Sequence, residues 1–145
     1  MNSLTNIESI LKDKGVFIST TVGVSMYPML RNREDTIVIK PVTGRLKKYD
    51  VPLYKRGDDY VLHRIVKVTS EGAVICGDNC LNKECDITDK DIIGVLRGVF
   101  RGEKEVNMSG FVYKTYCRVW VACYPIRFVA KKCLQIMKRV VKNVF

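Results

Sequence analysis

From Val16 to Phe100 the chain repeats one pattern, a short run of β-branched and aromatic residues followed by a cluster of turn formers. The runs are Val16-Phe17-Ile18, Thr36 to Ile39, Val51 to Tyr54, Tyr60 to Val68, Ala73 to Ile75 and Ile92 to Phe100. Between them stand Thr43-Gly44, Arg56-Gly57-Asp58-Asp59, Glu71-Gly72 and Gly77-Asp78-Asn79. Residues of the first kind suit a pleated, half-buried surface, and those of the second accept the backbone angles of tight turns. Many short strands at such spacing mean a mostly antiparallel β domain, so the expected fold class is mainly β.

Helical spacing is confined to the flanks. Leu4, Ile7, Ile10 and Leu11 predict a short amphipathic helix within residues 1–14, with Ser3 as its N-cap and Lys12 and Lys14 ahead of Gly15. Residues 15–105 form the expected β domain, and residues 106–145 a helical tail. In the tail Val112, Tyr116, Val119, Trp120 and Cys123 keep helical spacing until Tyr124-Pro125, where proline suits the first turn of a second helix. Beyond it, Val129, Cys133, Leu134, Met137, Val140 and Val144 fall in one apolar stripe, with Arg127, Lys131, Lys132, Lys138, Arg139 and Lys142 opposite.

Charge follows the same division. The chain carries 25 Lys and Arg against 15 Asp and Glu, yet residues 106–145 hold eight basic side chains and no acidic one. Such a tail suits a polyanion, either nucleic acid or an anionic membrane surface. No run of about 20 apolar residues is present, as a membrane-spanning helix requires. Glu8, Lys12, Asp13 and Lys14 stand where a signal peptide needs an apolar stretch, so the expected location is the cytoplasm. In that compartment the six cysteines are expected as reduced thiols. Cys76, Cys80 and Cys85 are spaced C-x3-C-x4-C with no paired CxxC, and no metal site is expected.

The most informative segment is Val22-Gly23-Val24-Ser25-Met26-Tyr27-Pro28-Met29-Leu30. It resembles the nucleophile box of type I signal peptidases and of the self-cleaving SOS-type repressors, a Gly-x-Ser-Met-x-Pro-x-Leu stretch in which Met29 here replaces the usual threonine. The resemblance continues in order along the chain. Asp35 to Ile39 is similar to the strand after the box, and Tyr49 to Tyr54 to the family's Gly-Asp-Ile-Val strand, with Asp50 kept and the glycine absent. Tyr60 to Val66 resembles the strand bearing the general base, and Cys76-Gly77-Asp78-Asn79 with Ile92-Ile93-Gly94-Val95 resembles the closing elements. Four motifs in order across residues 20–97 are far more specific than any one of them.

The resemblance implies a signal peptidase-like β domain and serine endopeptidase chemistry without a cofactor. A serine hydroxyl needs a neighbouring base to take its proton and donors to hold the oxyanion, and Ser25 lies between Gly23 and Pro28, in a turn suited to exposing its hydroxyl. Most bacterial members carry a lysine base before an arginine. His63 before Arg64 resembles instead the Ser-His subclass, and an imidazole accepts a proton near neutrality without a lysine's deep burial. An acid is needed to fix its tautomer, and Asp78 is the first choice, with Glu84 and Asp86 as alternatives. By the same resemblance Gly23, Met26, Pro28 and Leu30 line or support the substrate cleft. For Met26, Pro28 and Leu30 a place in the core is the equal alternative.

The implied substrate is a leader-bearing peptide or small precursor protein, met in the cytoplasm or at the inner face of the membrane. Relatives that process exported proteins carry an N-terminal anchor, whereas here residues 111–145 could bring the chain to an anionic membrane. The alternative is that the tail's stripe packs on the β domain. A rival function is a non-catalytic peptide-binding or membrane-docking module on the same fold. Nucleic acid ranks below both, since the sequence offers charge but no recognisable binding module.

Overall fold

The computed structural model describes residues 6–144. Helix α1 (Ile7–Lys14) starts at Asn6, whose side chain accepts the Ser9 N–H at 3.3 Å. It ends at Gly15, where a φ of 69° turns the glycine N–H back to the Leu11 carbonyl at 2.9 Å. Ser3 and Leu4 lie outside the described residues. The strands are β1 (Phe17–Thr20), β2 (Asp35–Lys40), β3 (Pro52–Arg56), β4 (Asp59–Leu62), β5 (Arg64–Val68), β6 (Gly72–Cys76), β7 (Glu84–Thr88), β8 (Ile92–Arg101) and β9 (Lys104–Glu105).

Among the described residues these strands form two antiparallel sheets. The larger runs β1-β2-β8-β3-β4 with β9 on β8, and the smaller runs β5-β6-β7. The fold is thus mainly antiparallel β, with one helix before it and two after. Period-two burial sets the faces: Asp35, Ile37 and Ile39 of β2 point inward. One core gathers Leu11, Met26, Leu30, Ile39, Leu53 and Val99 over the larger sheet, and another gathers Tyr54, Ile65, Ala73 and Ile75.

Two elements differ from the pattern in the sequence. The run Tyr60 to Val68 is not one strand, because it leaves the larger sheet at His63 and enters the smaller one at Arg64. No turn former marks that break. It falls at two consecutive buried polar side chains, His63 turned to Tyr54 and Arg64 to Asp78. Strand β7 was not legible either, since Glu-Cys-Asp-Ile-Thr has little β character and forms by pairing with β6.

Helices α2 (Phe111–Ala122) and α3 (Tyr124–Val144) follow, with Pro125 in the first turn of α3. Helix α2 lies on the β domain through Tyr113, Tyr116, Cys117 and Trp120. Helix α3 touches it only near its start, where Tyr124, Arg127 and Lys131 bond the carbonyls of Leu81, Asp78 and Asn79. The arrangement in which the apolar stripe packs on the β domain is not the one found. The polar edge of α3 meets the domain, Ile126, Val129 and Ala130 face outward, and every residue from Lys132 to Val144 is exposed. Among the described residues no helix is long and apolar enough to cross a membrane.

Candidate active site

Ser25 lies in the loop from β1 to β2, and buried bonds at its base fix that loop. Asp35, fully buried, accepts from two Arg101 nitrogens at 2.9 Å each and from the Arg31 N–H at 2.9 Å. Burial alone would raise the Asp35 carboxyl, but the Arg101 bonds and charge outweigh it and hold the group below the ordinary carboxylate range. The Thr21 hydroxyl donates to the Arg31 carbonyl at 2.5 Å. Gly23 adopts a φ of 96°, which side chains resist, and its N–H bonds Asn32 Oδ1 at 2.9 Å. Met26 and Leu30 plunge into the core, leaving Val22 and Val24 outward and Ser25 half-buried. Among the described residues neither the Ser25 hydroxyl nor its N–H has a hydrogen-bond partner.

The loop faces a cleft of about 550 Å³ that is shared by Ser25, His63 and Cys80. Its walls come from both edges of the larger sheet, Ser19 and Thr20 on β1 and Tyr60 to Leu62 on β4. Gly23, Met26 and Leu30 line it. Pro28, half-buried, does not line it. Met26 and Leu30 belong to the core at the same time, so their two readings are not exclusive.

His63 is 5% exposed and is held through one ring nitrogen. Its Nδ1 lies 3.1 Å from the Tyr54 hydroxyl, and that hydroxyl donates to Glu84 Oε1 at 2.7 Å. The bonds are mutually consistent only if Nδ1 carries the proton and Tyr54 accepts it, which leaves the Nε2 lone pair for a proton acceptor's role. Glu84 Oε1 also stands 3.4 Å from Nδ1 and 3.1 Å from Arg56 Nη1. Burial pushes the His63 pKa below its ordinary 6.5 and outweighs the opposing pull of Glu84, so the ring is neutral at pH 7.

Of the three acids considered, Glu84 reaches the ring. Asp78 does not serve as expected, because its two oxygens each accept from Arg64 at 2.8 Å, and Oδ2 also accepts from Tyr116 at 2.8 Å. Desolvation would strip the Arg64 charge, but the Asp78 bonds and charge outweigh it and keep the guanidinium protonated. Asp86 is exposed, two residues along β7 from Glu84.

Gly77-Asp78-Asn79 serves the site in another way. A Cβ at Gly77 would stand 2.7 Å from the Ser25 carbonyl oxygen, 3.0 Å from His63 Cδ2 and 2.6 Å from Cys80 Sγ, so only glycine lets the three converge. Asn79 holds the Ser25 turn, its N–H donating to the Ser25 carbonyl at 2.8 Å and its side-chain amide to the Val24 carbonyl at 3.1 Å. Cys80 sits beside Ser25 with its thiol pushed up by burial, which disfavours the thiolate a nucleophile requires.

Tyr54, Arg56 and Asn79 are the site residues that the sequence did not single out. Tyr54 sits at the end of an apolar strand run like any core tyrosine, and only the approach of β7 turns its hydroxyl into a link. Among the described residues no group of three or more His, Cys, Asp or Glu gathers as a metal site would need, and the six cysteines are unpaired. The geometry assembles a half-buried serine and a neutral histidine at one cleft, with a carboxylate linked to Nδ1 on the other side of the ring. In comparisons with known proteins, no protein-family model matches the chain and no curated protein matches it.

Proposed function

We propose that the protein is a serine endopeptidase of the signal peptidase-like type, cleaving a leader-bearing peptide or small precursor protein through an acyl-enzyme. The observation that carries this reading is the bonding of His63: Nδ1 is tied to Tyr54 and Glu84, so that Nε2 is the basic nitrogen in a cleft shared with Ser25. In the reaction Ser25 Oγ attacks the scissile carbonyl carbon as Nε2 takes its proton. The imidazolium that forms is stabilised by Glu84, and the free Ser25 N–H donates to the developing oxyanion. Nε2 then protonates the leaving amine, the C–N bond breaks and Ser25 is left as an ester. Water, deprotonated by the same nitrogen, attacks that ester, releases the acid and restores the hydroxyl.

The cleft's walls support an extended substrate. Strands β1 and β4 are the two edges of the larger sheet, and both border the cleft with backbone groups that an added strand can pair. Exposed Val22 and Val24 give the rim an apolar character that suits the hydrophobic part of a leader. The substrate is met in the cytoplasm or at the inner face of the membrane.

The test is acylation of the full chain by a penem or related serine-acylating probe, read by intact mass beside Ser25→Ala and His63→Ala. One adduct on the unaltered protein, absent from Ser25→Ala and slowed at least about 100-fold in His63→Ala, supports the reading. No adduct between pH 6 and pH 9 in a correctly folded sample overturns it in favour of a peptide-binding module on the same cleft.

A further inference from the structure

The tail helix α3 meets the β domain the wrong way round for a helix whose purpose is to complete a core. Its contacts are polar, from Tyr124, Arg127 and Lys131, while its apolar stripe is turned to solvent along the full length. Ile126 is 72% exposed, and Leu134, Met137, Val140 and Val144 lie between 51% and 69%. Isolated surface leucines need no explanation, but a continuous stripe over 21 residues does.

Charge identifies what covers it. Helix α3 bears Arg127, Lys131, Lys132, Lys138, Arg139 and Lys142 with no acidic residue, and none occurs anywhere from 106 onward. At 100° per residue the stripe centres near Met137 and Val140, while Lys132 and Arg139 border it on one side and Lys138 on the other, Arg127 being held by the Asp78 and Trp120 carbonyls. Long cationic side chains at the borders of an apolar face reach outward to headgroup phosphates while their methylenes stay at the acyl boundary. A second copy fits poorly, because two such stripes packed together would bring only like charges to each other's flanks.

We infer that α3 docks on an anionic lipid surface, lying in the interface with its stripe among the acyl chains and Lys132, Lys138 and Arg139 against the headgroups. The docking is peripheral, through a helix rooted by Tyr124, Arg127 and Lys131 on the loop that follows β6. The same loop holds the Ser25 turn through Asn79, so the membrane plane is set close to the cleft. This inference goes beyond the proposed peptidase activity and does not rest on it.

The experiment is flotation of the full chain with vesicles of mixed phosphatidylglycerol and phosphatidylcholine, beside vesicles of phosphatidylcholine alone. Binding to the anionic vesicles is expected to exceed that to the neutral ones at least about tenfold and to weaken with salt. Met137→Asp with Val140→Asp, both at exposed positions, is expected to reduce anionic binding at least about tenfold at unchanged melting temperature. Replacing Lys132, Lys138 and Arg139 by Gln is expected to erase the preference for anionic lipid. Failure of the unaltered chain to float with anionic vesicles overturns the inference. So does binding that the aspartates leave intact, which would make the tail a bare polycation, or a dimer in solution that they dissociate, which would assign the stripe to a second copy. Ser25→Ala is expected to float like the unaltered protein, so loss of peptidase activity and loss of docking are read separately.

Discussion

In the proposed reaction His63 takes the Ser25 proton on a ring that burial keeps neutral. With its pKa below the ordinary 6.5, His63 is a base throughout the neutral range and loses that capacity as pH falls through its lowered value. The rate of Ser25 acylation is therefore expected to be flat from pH 7 upward and to decline with a midpoint below 6.5. Glu84 opposes the burial, so Glu84→Gln is expected to move that midpoint to still lower pH while slowing acylation by about 10- to 100-fold through loss of imidazolium stabilisation. A pH profile of labelling for the two proteins checks both, and a midpoint unmoved by Glu84→Gln would remove Glu84 from its positioning role. Asp78 gives a different signature. Its loss leaves Arg64 buried without a counter-charge, so Asp78→Ala is expected to cost about 3–5 kcal/mol of stability in a denaturant titration. The Asp78 charge also lifts the His63 pKa, less than that of Glu84 does, so the acidic limb of the folded protein should move only slightly to lower pH.

Strands and loops were legible in the sequence to different degrees, for physical reasons. Strand β2 declared itself as a run of β-branched residues, and the tail helices because their apolar residues recur every three to four positions. The break at His63 and strand β7 were hidden, since both depend on partners distant in sequence and neither carries a local turn or β signal. The site divides the same way. Ser25 and His63 stood out from motif order and from the chain's single histidine, but the choice between Asp78 and Glu84 rested on which carboxylate the folded loops bring to the ring. The arginine next to His63 draws Asp78 away, a competition no spacing reveals. What the Gly77-Asp78-Asn79 turn contributes is close approach. Gly77→Ala would drive a methyl group against the Ser25 carbonyl and the His63 ring, and neither can retreat without shifting a strand or the nucleophile turn. It is expected to lower the acylation rate at least about tenfold, because displacements near 1 Å are that costly to a nucleophile and its base. Labelling kinetics beside a melting curve would show whether the effect goes beyond lost stability.

The β domain and the tail are joined at one place, and that junction determines how much of the tail the fold needs. Tyr116 and Trp120 of α2 bond the side chain and carbonyl of Asp78, and the first turns of α3 add Tyr124 on Leu81, Arg127 on Asp78 and Lys131 on Asn79. Arg127 further lies 4.3 Å from the centre of the Trp120 ring, which ties the two helices together. Among the described residues beyond Lys132 none is buried. A chain ending at Lys132 is therefore expected to melt within about 2 °C of the full protein, since exposed positions contribute little to stability, and to keep Ser25 reactive. A chain ending at Cys123 loses the bonds of Tyr124, Arg127 and Lys131 to the loop after β6 and the stacking on Trp120, and is expected to melt several degrees lower. At about 1 kcal/mol for each hydrogen bond lost, a fall of roughly 5–10 °C is expected for a domain of this size. Because Lys131 grips Asn79, and Asn79 grips the Ser25 turn, that second truncation should also slow acylation in the protein that remains folded. Equal melting temperatures for the two truncations would mean that α3 contributes nothing to the β domain, and the link from the tail to the nucleophile would fall with it.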